Sequence, residues 1–308
     1  MNFRVAKNVV LITTVLAVGA VALFKAQQYK EDYTSDFIDE TIYSSVLGES
    51  RKIFIRLPGG YERSKEYPLI IKTDGNFNLK RWDETLAELS SQSITEDSII
   101  VAIPNLFWVD SRNRDLVPPY ARRDVNIEAR PDEDNHPDIF GKADRFLAFI
   151  ETELIPYLEK NYAINDNRLL SGFSAGGSLV LYTIVTKPDL FSGYLAFSPA
   201  AWYDDSVVVK EFAKNLPVTD GKPIFLYLSL GGEENEIITG SFKGLLSALE
   251  TNAPANLQWA YSYSEGAGHN ANPYVSVPKA LTKYYEFCAN KNSVRPVRNA
   301  HSVSSTSN

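Results

Sequence analysis

Apolar residues recur along this chain in two rhythms, and the rhythms take turns. Segments 41–47 (TIYSSVL) and 51–57 (RKIFIRL) alternate apolar and polar positions around Gly48-Glu49-Ser50, which predicts an antiparallel hairpin. Five short apolar runs lack that alternation: 69–73 (LIIKT), 98–103 (SIIVAI), 168–171 (RLLS), 193–197 (GYLAF) and 224–230 (IFLYLSL). Runs of this kind suit strands buried on both faces. Helical patterns separate them at 79–91, 143–161, 175–187, 205–215 and 238–251. Within 143–161, Phe146, Ile150, Leu154 and Leu158 fall on one face, and Pro156 predicts a kink because it brings no N–H to the ladder. A strand at 257–263 and a helix at 276–289 complete the series. Strands taking turns with helices predict an α/β domain: a mostly parallel sheet, an antiparallel hairpin at its start, and helices on both faces.

The alternation fails at both ends of the chain. Arg4 and Lys7 precede an uncharged apolar run, 8–24. That length sits at the lower limit of a membrane span of about 17–25 residues and exceeds the roughly 7–15 apolar residues of a signal peptide. Ala20-Val21-Ala22 offers a cleavage site, so residues 1–25 read as a signal anchor or a signal peptide. Residues 26–40 read as a polar linker, 41–290 as the domain and 291–308 as a disordered tail. Either reading of the N-terminus places the domain outside the cytoplasm, in the periplasm or beyond it. The protein is then anchored to the inner membrane or secreted, with membrane contact through the N-terminal segment only. The net charge of −7 argues against nucleic acid, whose phosphates need a positive field. Cys288 is the only cysteine, so an intrachain disulfide is excluded.

Chemistry concentrates where the strand 168–171 meets the helix 175–187. Gly172-Phe173-Ser174-Ala175-Gly176 is a G-x-S-x-G between strand and helix, the pattern of a nucleophile elbow. A sharp turn lifts the Ser174 hydroxyl off the sheet edge, and the N–H of Ala175 opens a helix where an oxyanion can bind. The base follows by elimination. Of three histidines, His136 precedes the nucleophile and His301 lies in the tail, so His269 in Gly266-Ala267-Gly268-His269-Asn270 remains. The acid is expected after strand 224–230, where Glu233, Glu234 and Glu236 compete; Glu234 is preferred and Glu233 held in reserve. The second oxyanion donor is expected from Asp74-Gly75-Asn76-Phe77, with the N–H of Asn76 as the candidate.

A long connection, 104–140, is rich in Arg, Asp, Asn and Pro, and connections of that length often bind ligands. Arg112, Arg114, Arg122 and Arg123 could face an anionic substrate or pair with Asp110, Asp115 and Asp124; Arg112 is the candidate substrate ligand. Trp202, beside Tyr203, is a candidate pocket wall. The run 132–138 (DEDNHPD) matches no metal-ligand spacing and reads as a solvated loop. Neither a metal nor an organic cofactor is called for.

These motifs together resemble the Putative esterase family of α/β hydrolases, which includes siderophore esterases, S-formylglutathione hydrolase, feruloyl esterases and mycolyltransferases. The resemblance is carried by 67–76 (YPLIIKTDGN), 99–118 with its RNRDL, 143–162, and above all 168–191 (RLLSGFSAGGSLVLYTIVTKPDLF), leading into Ser198-Pro199. The GFSAGG elbow and the later SPAAWY resemble the siderophore-esterase branch, whereas Asn270-Ala271 stands where that branch often has Gly-Ser. The resemblance implies the α/β-hydrolase fold, Ser174 as nucleophile, His269 as base and Glu234, three residues after a glycine, as acid. The expected activity is hydrolysis of a small-molecule carboxylic ester through an acyl-serine. An acyltransferase using the same serine and a non-catalytic tethered binding module are the alternatives.

Overall fold

A computed structural model describes residues 37–105, 111–121, 140–216 and 222–293, together with Gly19. The expected anchor or signal peptide, most of the linker, Arg122, Arg123, the 132–138 run, His136 and His301 lie outside the described residues. Among the described residues no helix is long and apolar enough to cross a membrane.

The apolar runs become eight strands of one sheet, in the order β1-β2-β4-β3-β5-β6-β7-β8. β1 (Ile38–Ser44) and β2 (Glu49–Arg56) are antiparallel to each other, and β2 is antiparallel to β4 (Ile99–Ala102). β3 (Tyr67–Lys72), β5 (Ile164–Phe173), β6 (Gly193–Phe197), β7 (Ile224–Gly231) and β8 (Leu257–Ser264) run parallel with β4. This is the expected α/β-hydrolase arrangement. The first strand ends earlier than the alternation predicts, because 45–48 turns instead of pairing. There the Glu153 carboxylate accepts the N–H groups of Ser45 (2.9 Å) and Val46 (3.1 Å), and Gly48 donates to Ser44 O (2.8 Å).

Each face of the sheet has its own helices because successive residues of a buried strand point opposite ways. On one face Ile70, Ile100, Leu169 and Leu195 pack against α1 (Leu79–Ser91) and the last helix, α8 (Asn272–Ser293). On the other, Leu69, Ile71, Leu170 and Ala196 meet the remaining helices. These begin with a short helix α2 (Ser111–Leu116) inside the long connection, and α3 (Ala143–Phe149). α3 passes through a π-helical turn (Ile150–Leu154) into α4 (Ile155–Asn161). The kink expected at Pro156 takes the form of that turn. Ile155 N–H bonds back five residues to Ile150 O, one residue ahead of the ring that cannot donate. α5 (Ala175–Thr186), α6 (Tyr203–Lys214) and α7 (Glu236–Asn252) complete this layer.

Because six strands are parallel, their C-terminal ends share one edge. The loops that follow β3, β5, β6, β7 and β8 therefore converge, and every candidate catalytic residue lies in or beside one of those five loops.

Candidate active site

The turn between β5 and α5 is built around Ser174, whose backbone stands at φ 54°, ψ −114°. A side chain is disfavoured there, and holding it costs about 1–3 kcal/mol. Surrounding bonds impose the conformation: Ser174 N–H donates to Phe197 O (3.0 Å), and Ser174 O accepts from Ala200 N–H (2.9 Å) and Ser178 N–H (3.1 Å). The glycines of the motif are explained by close approach. A Cβ on Gly172 would stand 2.1 Å from Gly176 O, and one on Gly176 would stand 2.4 Å from Thr73 Oγ1. The Ala175 N–H lies in the first turn of α5, where amides have no intrahelical acceptor.

The loop after β3 faces that amide. Gly75 N–H donates to Ile103 O (2.8 Å) and Phe77 N–H to Asp74 O (2.8 Å), while Asn76 N–H between them has no backbone acceptor among the described residues. Two buried cations hold this loop. The Lys72 ammonium donates to Asp74 O (2.8 Å), Phe77 O (2.7 Å) and Thr73 O (3.2 Å). The second cation is Arg112. Its guanidinium grips fully buried Asp74 through two bonds (2.7 and 2.8 Å) and reaches Phe173 O at 3.4 Å. Sequence alone offered Asp110, Asp115 and Asp124 as partners for these arginines. The partner of Arg112 is instead an aspartate 38 positions away, brought near by the fold.

The loops after β7 and β8 bring His269 and Glu234 together. His269 Nδ1 lies 2.7 Å from Glu234 Oε2. The side chain of Glu234 is fully buried and that of His269 is about one quarter exposed. Glu234 Oε1 accepts from Gly231 N–H (2.7 Å) and from the Ser198 hydroxyl. Burial alone would raise the Glu234 pKa. Bonds from His269, Ser198 and Gly231 outweigh it and hold the carboxyl below its ordinary value of 4.5. Glu233, the reserve, is exposed, with its own N–H turned to Ala267 O (3.0 Å).

The imidazole stands among aromatic rings. Phe173, next to Ser174, has its ring centroid 4.8 Å away, and that of Trp202 is 6.2 Å away. No hydrogen bond joins the Ser174 hydroxyl to the imidazole in this arrangement. Phe77 stacks on Phe173 (5.2 Å) and meets Tyr274 edge-on (5.2 Å). The Trp202 indole N–H is buried and has no hydrogen-bond partner among the described residues. Among the described residues no group of three or more His, Cys, Asp or Glu side chains could hold a metal ion.

Ser174, Ala175, Asn76, Glu234, His269 and Trp202 thus lie in or beside loops at one edge of the sheet, and Arg112 is bonded to Asp74 in one of those loops. The sequence reading missed Lys72, Asp74 and Ser198. Lys72 did leave a trace, as a lysine inside a run otherwise fit for burial on both faces.

The family model described as Putative esterase matches residues 44–269, well over half of the chain. The ferri-bacillibactin esterase BesA of Bacillus subtilis is 29% identical over 177 residues, 56% of this chain and 60% of that protein. A siderophore enterobactin esterase of Emericella nidulans is 30% identical over 187 residues, 57% of this chain and 61% of its own length. The chain therefore aligns with less than two thirds of each of these two relatives. Among solved structures, the BES protein of Bacillus cereus superposes with a TM-score of 0.71 at 25% identity, covering 82% of this chain and 96% of that one. An IroE-like serine hydrolase of Shewanella oneidensis superposes with a TM-score of 0.73 at 24% identity, covering 82% and 80%.

Proposed function

The chain belongs to the Putative esterase family, and from that premise we propose that it hydrolyses carboxylic esters through an acyl-Ser174 intermediate. The observation that carries this reading is the buried Glu234 carboxylate bonded to His269 Nδ1, on the same sheet edge as the strained turn of Ser174. A carboxylate on Nδ1 keeps the proton on that nitrogen and leaves Nε2 as the basic one. Nε2 takes the Ser174 proton as Oγ attacks the ester carbonyl, and Glu234 stabilises the imidazolium that forms. The tetrahedral oxyanion is held by the N–H groups of Ala175 and Asn76. The imidazolium then protonates the departing alcohol. Water, activated by the same imidazole, releases the acid. The missing bond between Ser174 and the imidazole is one that hydrolases commonly tighten only with substrate bound.

Siderophore-type esters are the substrate class in this reading. Two relatives carry that activity in their names. The rings of Phe77, Phe173, Trp202 and Tyr274 supply apolar faces around His269 and around Phe173, the neighbour of Ser174. The uncharged run behind Arg4 and Lys7 supports a site of action outside the cytoplasm.

The test is steady-state hydrolysis of p-nitrophenyl acetate and of a ferric catecholate trilactone by the parent and by Ser174→Ala. The reading predicts turnover of both esters, abolished in the variant. Equal rates in parent and variant would end the serine mechanism, and turnover of the nitrophenyl ester alone would end the siderophore assignment.

A further inference from the structure

Behind the Glu234 carboxylate lies a buried group of polar side chains that makes no contact with the reacting atoms. Asn272, the first residue of α8 and three positions after His269, has no exposed surface, and Ser198 and Ser229 have none either. The Asn272 amide nitrogen donates to Ser198 Oγ (2.8 Å) and Ser229 Oγ (3.0 Å). Its oxygen accepts from Ser264 Oγ (2.8 Å) and Ser276 Oγ (2.6 Å). Both donors and both acceptor sites of one amide are filled, so it has a single orientation. Since Ser198 Oγ accepts from Asn272, its own proton is directed to Glu234 Oε1.

The backbone repeats the linkage. Asn272 N–H donates to Gly268 O (3.0 Å), tying down the turn that carries His269, and Ser198 N–H donates to Ser229 O (2.8 Å). Ser198 also sits at φ 42°, a conformation that a residue with a side chain rarely keeps without a reason. With Ser198 and Gly231 both bonded to Oε1, Oε2 is the oxygen left for the imidazole.

We propose that Asn272 and Ser198 are positioning residues, a directed hydrogen-bond chain that fixes which Glu234 oxygen meets His269 and holds the histidine turn in register with the acid. This rests on the reading of Ser174, His269 and Glu234 given above. The chain acts through Glu234 and touches no substrate, so its loss lowers kcat and leaves KM in place.

Ser198→Gly is the main test, because glycine accepts φ 42° and the change takes away the hydroxymethyl group that reaches Glu234; Asn272→Ala is the second variant. With p-nitrophenyl acetate, each is expected to lower kcat about tenfold while KM stays within about twofold, the scale of one hydrogen bond to a charged group. Added to Glu234→Ala, the same change is expected to alter kcat by less than about twofold, since it acts through the group already removed. The inference is overturned if Ser198→Gly keeps parental kcat, if its loss appears in KM, or if the loss persists undiminished beside Glu234→Ala. Ser174→Ala, assayed in parallel, separates the two claims. Parental activity in that variant overturns the hydrolase reading, whereas a dead Ser174→Ala beside an unaffected Ser198→Gly overturns only the positioning chain.

Discussion

Replacing Glu234 by Gln exchanges one carboxylate oxygen for an NH₂ group of similar size and yet should all but stop the reaction, for a reason that can be followed atom by atom. Two donors, the Gly231 N–H at 2.7 Å and the Ser198 hydroxyl, converge on Oε1. In the variant they hold the amide oxygen at that position, so the amide NH₂ must occupy the place of Oε2, 2.7 Å from His269 Nδ1. An NH₂ group there can only donate, so Nδ1 has to accept and the ring proton moves to Nε2. The nitrogen needed as the base is then blocked. The corresponding carboxylate-to-amide change in serine proteases lowers kcat about 10⁴-fold by the same tautomer switch, and a loss of that order is expected here. The assay is kcat for p-nitrophenyl acetate near neutral pH, with circular dichroism confirming that the variant is folded. A folded Glu234→Gln protein within about tenfold of the parent would mean that the imidazole keeps its tautomer, because a switch of this kind costs about 10⁴.

Further outcomes follow from the same geometry. Glu234 stabilises the fold while ionised. Its folded pKa lies below 4.5, so that contribution is complete above about pH 4.5 and is lost as pH falls through the lowered folded value. Denaturation of parent and Glu234→Gln across pH should show a gap that is constant near neutrality and closes in acid; a gap that widens on acidification contradicts it. Lys72→Met strips the ammonium from three loop carbonyls. A cost of about 3 kcal/mol in urea unfolding is expected, since one buried polar group left unpaired costs about 1–3 kcal/mol, and a change near zero speaks against it. Gly176→Ala drives a methyl to within 2.4 Å of Thr73 Oγ1 and displaces the Asn76 loop; kcat should fall about 100-fold, the effect of roughly an ångström of misplacement. Gly240→Ala, on an exposed turn of α7 with nothing within 4 Å, should instead raise stability by about 0.5–1 kcal/mol.

The parts of the fold that could be read from the chain are those set by local rhythm. β5, α5 and the turn between them follow directly from RLLSGFSAGG. An apolar run, two glycines with no room for a side chain and a helix-opening alanine leave one way to fold. The catalytic candidates were legible for the same reason, being tied to strand ends that a parallel sheet must bring to one edge. What could not be read depends on pairings across long sequence separations. Asp74, the buried partner of Arg112, lies on a different loop, and no pattern in 104–140 names it. Lys72 and Asn272 bind backbone or hydroxyl groups whose positions exist only once the strands have assembled. Among the acids, Glu234 and Glu233 differ by one position. The turn after β7 aims the Glu234 side chain inward and leaves Glu233 in solvent.

The most direct test of the central claim is covalent trapping. The protein is incubated with a fluorophosphonate, and its intact mass and peptides are read by mass spectrometry. The account predicts one phosphonyl group per chain, on Ser174, and slow or absent labelling in His269→Ala. A folded parent protein that stays unlabelled, or that carries the group on another serine, contradicts it.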